Sequence, residues 1–161
     1  MSKLSVEDFL HVVTNTPLVS IDFVIENSYN QILIGKRLNE PACGYWFVPG
    51  GRILKGERFA EAIDRLLVEE VGLGQGLKYF NGSYQLMGIY DHMYPTCFYK
   101  ENPTATTTHY VVIGLKLHID ADKMSKIDAH DQHSTWKWVG VSDLLSDPLV
   151  HENTKRYFSV I

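Results

Sequence analysis

Hydrophobic and polar positions alternate in runs that assign most of the chain to short elements. SVEDFLHVV places Val6, Phe9, Leu10 and Val13 on one helical face, with Ser5 as the cap and Pro17 beyond the end. LVSIDFVIE and QILIGKRL are apolar runs around NSYN, which predicts two strands joined by a turn. WFVPGG is a strand entering a glycine turn. GERFAEAIDRLLVEEVG predicts the longest helix, stopped by Gly72 and Gly74. Strands are expected over Tyr84–Tyr90, His109–Leu117 and TWKWVG. DADKMSKIDAHDQHS reads as a polar loop, and VSDLLS and ENTKRYFSV as closing helices. The pattern is that of a mixed α+β domain without repeats or linkers.

Within the longest helix one position breaks the pattern. At about 100° per residue, Phe59, Ile63, Leu66 and Leu67 form an apolar stripe with Val71 at its edge. Glu70 falls inside that stripe. It also sits at the helix C-terminus, where the macrodipole opposes negative charge. Two readings follow: Glu70 frays into solvent ahead of Gly72, or it meets a cation. Glu69 lies on the polar side, one turn from Arg65, and an i,i+4 ion pair is its simplest role. Glu57, near the helix N-terminus, complements the dipole.

Composition narrows the classes. At 161 residues and a formal charge of −4, the chain suits one domain and carries no nucleic-acid footprint, although local arginines can still bind a small phosphate ligand. The N-terminus lacks a signal pattern and no apolar run approaches the length of a membrane span. Cys43 and Cys97 are too few for a disulfide framework. Reduced, cytoplasmic residence is expected.

The spacing around the helix carries a specific resemblance. Gly51 is followed after five residues by Glu57, and after seven more by Arg65, then Glu69, Glu70, Gly72 and Leu73. Residues 51–73 resemble the Nudix box, a loop–helix–loop whose carboxylates hold a divalent ion against a diphosphate. The resemblance implies a single Nudix domain over 1–161, an α/β/α sandwich with a mixed central sheet. One charged position departs: Leu66 stands where the box has glutamate. Nudix hydrolases use the full set to activate water for attack on phosphorus. The departure means either a poor phosphohydrolase or a different chemistry with its base elsewhere.

TPLVSIDFVIEN, GKR, GYWFVPGGR, THYVV and the pair Gln132–His133 resemble one branch of that family, the GDP-mannose mannosyl hydrolases. In that branch water attacks the anomeric carbon, giving GDP and a free hexose with inversion, and the glutamate at the Leu66 position is typically absent. The resemblance implies one Mg2+ per subunit (Mn2+ substituting), held by Glu70 and the backbone carbonyls of Gly50 and Gln132. Arg37, Arg52 and Arg65 would stabilise the leaving diphosphate through bidentate hydrogen bonds, with Tyr110 donating its hydroxyl. His133 would be the general base, since imidazole titrates near neutrality. Asp22 and His92 would face the sugar. Leu4 and Phe9, within an N-terminal segment 1–16, would cross a homodimer interface and meet the guanine. Each residue also has a plain reading: a solvated charge for Arg52, a helix pair with Glu61 or Glu69 for Arg65, an exposed loop histidine for His133, a structural hydrogen bond or a solvent-facing position for Asp22, core positions for His92 and Phe9. His109 has only a structural reading, and Trp136 and Trp138 are packing residues. The alternatives to glycosyl hydrolysis are pyrophosphate cleavage of a nucleotide sugar, or nucleotide-sugar binding without catalysis.

Overall fold

The computed structural model describes residues 4–120, 123 and 133–159. Its elements, in chain order, are α1 (Val6–Asn15), β1 (Leu18–Asn27), β2 (Gln31–Arg37), β3 (Trp46–Phe47), β4 (Gly50–Arg52), α2 (Phe59–Val71), a 3₁₀ turn (Gly76–Phe80), β5 (Gln85–Tyr94), β6 (Thr108–Ile119), β7 (His133–Gly140), α3 (Val141–Ser146) and α4 (Glu152–Lys155). Seven strands form one mixed sheet with the path β3-β2-β1-β6-β5; β4 adds to β1 and β7 to β2. β1 and β6 run parallel, and the other pairs are antiparallel.

Alternation along the strands sorts the core into two layers. Ile21, Phe23, Ile25, Leu33, Leu115 and Leu117 face α2, whose Ile63, Leu66, Leu67 and Val71 complete that layer. Val24, Ile32 and Ile34 face the other way, against Leu144, Val150 and Tyr157. A smaller cluster seats α1 on its own sheet through Val13, Leu18 and Cys97, with Phe9, Phe98 and Tyr110 around it. This is the expected α/β/α arrangement. Among the described residues no helix is long and apolar enough to cross a membrane.

Several boundaries differ from those expected. β5 continues past Tyr90 to Tyr94, because β6 pairs with it as far as Tyr94 opposite Thr108. β7 begins at His133 rather than Thr135, with the His133 backbone opposite Arg37. α4 covers only Glu152–Lys155, and hydrogen-bonded turns carry the chain on to Phe158. In each case tertiary pairing decides where the local pattern leaves the end open.

Candidate active site

The helix α2 is fixed at both ends. Glu61 accepts a hydrogen bond from the Arg58 backbone N–H at 2.8 Å, and Gly72 closes the C-terminus in the left-handed region at φ 77°. Leu66 is buried to 1 % exposure. A Cβ on Gly51 would come within 2.5 Å of the Leu66 Cδ2. The residue at the missing charged position is therefore a core side chain, seated against the glycine that opens the motif.

Two of the remaining carboxylates are occupied. Arg65 donates from Nε to Glu57 Oε1 at 2.6 Å, from Nη2 to Glu57 Oε2 at 3.0 Å, from Nη1 to Glu69 Oε2 at 2.8 Å and from Nη2 to the Arg52 carbonyl at 2.8 Å. Glu57 Oε2 also accepts from the Leu54 N–H at 2.9 Å. This bidentate clamp pins the loop between β4 and α2. It holds Glu57 below the usual carboxylate range and raises the already high affinity of Arg65 for its proton. Arg65, expected at the diphosphate, has its guanidinium engaged in this clamp.

Glu70 differs from both. It is 5 % exposed, and its Oε2 is buried with no hydrogen-bond partner among the described residues. Burial first, and repulsion from Glu69 second, push it up to about 7; Arg37 and Arg65 pull the other way. A buried carboxylate oxygen without a donor costs free energy unless something else satisfies it. A hard divalent cation is the matching partner, so the residues present fit the expected metal.

Across the thin wall formed by Gly50 and Gly51 lies a cleft of about 110 Å³. It is lined by Ser20, Asp22, Arg37, Phe47, Val48, Gly50, Gly51, Arg52, His92, Tyr94 and Tyr110. Asp22 is on β1, His92 on β5 and Tyr110 on β6, all on the sheet face opposite α2. Asp22 Oδ2 accepts a 2.7 Å hydrogen bond from the Tyr157 hydroxyl and lies 4.0 Å from His92 Nδ1. Burial raises Asp22 to about 6, against the pull of Tyr157 and Arg37. His92 is driven down to about 4, chiefly by burial, so it is neutral at physiological pH. Its Nε2 has no partner among the described residues. Arg37 is the shared cation, acting on Asp22, Tyr110 and Glu70 alike. Arg52 lies 3.8 Å from the centroid of the Phe9 ring, a cation–π contact that ties α1 to the rim.

Six expected side-chain positions, Asp22, Arg37, Arg52, His92, Tyr110 and Glu70, are thus gathered around Gly50–Gly51. Phe9 packs on Arg52 of its own chain, and Leu4 is 57 % exposed. Gln132 lies outside the described residues. His133 is placed by its backbone alone, opposite Arg37. Sequence reasoning missed Ser20, Phe47 and Tyr94 in the lining, and Tyr157 behind it. His109 pairs with Asp91 at 3.4 Å, away from the cleft lining.

The family model for the NUDIX domain matches residues 16–159. The chain belongs to the NUDIX family. Among characterised relatives it is 30 % identical over 131 residues to the low-salt glycan biosynthesis protein Agl8 of Haloferax volcanii, covering 81 % of this chain and 78 % of that one. It is 41 % identical over 74 residues to an ADP-ribose pyrophosphatase of Methanocaldococcus jannaschii, covering 46 % and 40 %. Solved NUDIX structures share the fold. A MutT protein from Methanosarcina mazei superposes with TM-score 0.65 at 18 % identity, covering 89 % of this chain and 92 % of the other. The bifunctional NMN adenylyltransferase/ADP ribose pyrophosphatase of Francisella tularensis, in complex with AMP and a Mn ion, superposes with TM-score 0.68 at 17 % identity, covering 94 % and 43 %.

Proposed function

We propose that this NUDIX protein hydrolyses a GDP-hexose, GDP-mannose first among them, to GDP and the free sugar by water attack at the anomeric carbon. The observation that carries the reading is the state of the box carboxylates. Leu66 is core, Glu57 and Glu69 are bound to Arg65, and of the box carboxylates Glu70 alone keeps a buried oxygen with no partner among the described residues. Among the described residues no cluster of three or more acidic, histidine or cysteine side chains gathers to hold a metal. On the other side of the glycine wall, an acid and a neutral imidazole line a cleft suited to hydroxyl groups. The similarity to a glycan biosynthesis protein supports a sugar-bearing substrate.

In this reading the diphosphate lies along Gly50–Gly51, between Arg37 and Arg52. Their guanidinium groups bind the charge that grows on the departing GDP. Tyr110 donates its hydroxyl to the same oxygens; burial raises its pKa, so it keeps its proton. Asp22 accepts from a sugar hydroxyl, and His92 orients a second one through Nε2. His133, which opens β7 opposite Arg37, takes the proton from water on the far face of the sugar. A divalent ion held by Glu70, with the Gly50 and Gln132 carbonyls, would supply Lewis-acid stabilisation of the leaving diphosphate. Attack opposite the leaving group inverts the anomeric centre.

The test is product identification across a panel of nucleotide sugars with Mg2+. GDP with free hexose is the expected outcome. GMP with hexose 1-phosphate would instead assign the chain to pyrophosphate cleavage, the activity named for the Methanocaldococcus relative.

A further inference from the structure

We infer that Tyr157 is a positioning residue for Asp22: packed on the same face of the sheet, it grips one carboxylate oxygen and leaves the other toward the cleft. This rests on the reading above that Asp22 meets the sugar.

A row of residues across the sheet carries the inference. Asp22 pairs with Gly50 on β4 to one side and with Gly114 on β6 to the other, and Gly114 pairs in turn with Gly88 on β5. One carboxylate thus sits in a row with three glycines. Glycine inside a strand costs backbone entropy and contributes no packing, so it marks a close approach. At Gly50 the approaching atom is Asp22 Oδ1, which a Cβ there would strike. At Gly114 a Cβ would stand 2.9 Å from Tyr90 Cε2 and 3.0 Å from Tyr157 Cε1. Gly50 therefore leaves room for one oxygen of Asp22, and Gly114 leaves room for the tyrosine that holds the other.

Tyr157 is set firmly enough for this role. It is 6 % exposed. Its ring meets Tyr90 edge to face at 4.7 Å between centroids and packs with Val24, Ile34 and Leu144. Its hydroxyl donates to Asp22 Oδ2 at 2.7 Å, the short geometry of a charge-assisted bond. With Oδ2 held, Asp22 cannot rotate about its Cβ–Cγ bond, and Oδ1 stays at the glycine wall. The residue comes from the turn after α4, 135 positions along the chain from Asp22, so the C-terminal segment completes the site.

The experiment is a double-mutant cycle on the full chain with Mg2+, using Tyr157→Phe, Asp22→Asn and the pair, with Gly114→Ala as an independent way to displace the ring. Readouts are kcat, KM and inhibition by GDP, which lacks the sugar. Tyr157→Phe should lower kcat at least tenfold and leave GDP inhibition within twofold. The double variant should match Asp22→Asn within about twofold, and Gly114→Ala should follow Tyr157→Phe. Additive losses, wild-type kcat in Tyr157→Phe, or a variant that weakens GDP as much as it lowers kcat or melts below the assay temperature would overturn the inference. The cycle is read on whichever nucleotide sugar the wild type turns over. Cleavage at phosphorus would overturn the proposed function and leave the coupling measurable; a wild type that turns over none would overturn both.

Discussion

Two carboxylates flank the Gly50–Gly51 backbone, Asp22 beside Gly50 and Glu70 beside Gly51, and the protein treats them oppositely. Asp22 is given a tyrosine hydroxyl, a neighbouring imidazole and glycines on both flanking strands. Glu70 is given apolar neighbours on its helix and, among the described residues, no donor for Oε2. The first is an arranged acceptor, complete in the protein alone. The second is a demand that the described residues leave open, and in the proposed reading a cation would answer it. In the proposed reading the contrast divides the work of the site: Glu70 would hold a cation on the α2 side, while Arg37, Arg52 and Tyr110 would meet the diphosphate, and Asp22 and His92 the sugar, in the cleft on the other. In the proposed reading neither carboxylate is the base, and His133 takes that role.

Breaking the division at the base should have the largest effect. His133→Gln should lower turnover by roughly 10²–10⁴ and leave substrate affinity nearly intact. A variant with wild-type kcat in steady-state kinetics would return the base to one of the two carboxylates. Next comes the open demand itself. Glu70→Gln should cost more than the roughly 10–100-fold typical of losing an outer partner of a metal site, and calorimetric titration with Mn2+ should show weakened binding. Normal metal affinity in that variant would mean that Glu70 is not a ligand.

Glu70 also leaves a signature without substrate. In chelator its folded pKa is raised from the ordinary 4.5 to about 7, so the folded chain holds the proton more tightly than the unfolded one. The stability it contributes is full below about pH 4.5 and is lost as pH rises to about 7, a swing on the order of 3 kcal/mol. Asp22 shifts in the same direction, from 3.8 to about 6, but it does so in both wild type and Glu70→Gln. Denaturant melts of the two proteins should therefore diverge between pH 4.5 and 7, the wild type losing more. Parallel curves would show that Glu70 has a partner. The smallest effect is expected at Glu69, which is 56 % exposed in its pair with Arg65. Glu69→Gln should cost less than about 1 kcal/mol in a denaturant melt and change kcat little. A loss comparable to Glu70→Gln would extend the metal site to Glu69.

The same division separates what the sequence discloses from what it hides. α2, its stripe and the anomaly of Glu70 follow from a single local period, and the box spacing lies within 23 residues, 51–73. The strand carrying Asp22 reads as an apolar run interrupted only by Ser20 and Asp22 as far as Ile25. Arg65 carries no local sign that Glu57, eight positions away, would clamp it from the preceding loop, although the i,i+4 contact with Glu69 was legible. Tyr94 reaches the cleft through strand order, and Tyr157 reaches Asp22 through the return of the chain after α4; no periodicity records either. A trace of Tyr157 did exist: Gly114 interrupts the apolar run of β6, and a glycine there signals that something bulky comes close. What comes close is decided by the return of the chain after α4.

The central claim is that water attacks carbon. Hydrolysis of GDP-mannose in ¹⁸O-labelled water, followed by mass spectrometry, tests it most directly. Attack at the anomeric carbon breaks the C–O bond, so the label appears in mannose and the GDP released carries none. Label in a phosphate, whether of GDP, GMP or mannose 1-phosphate, would contradict the account and return the chain to phosphorus chemistry despite Leu66.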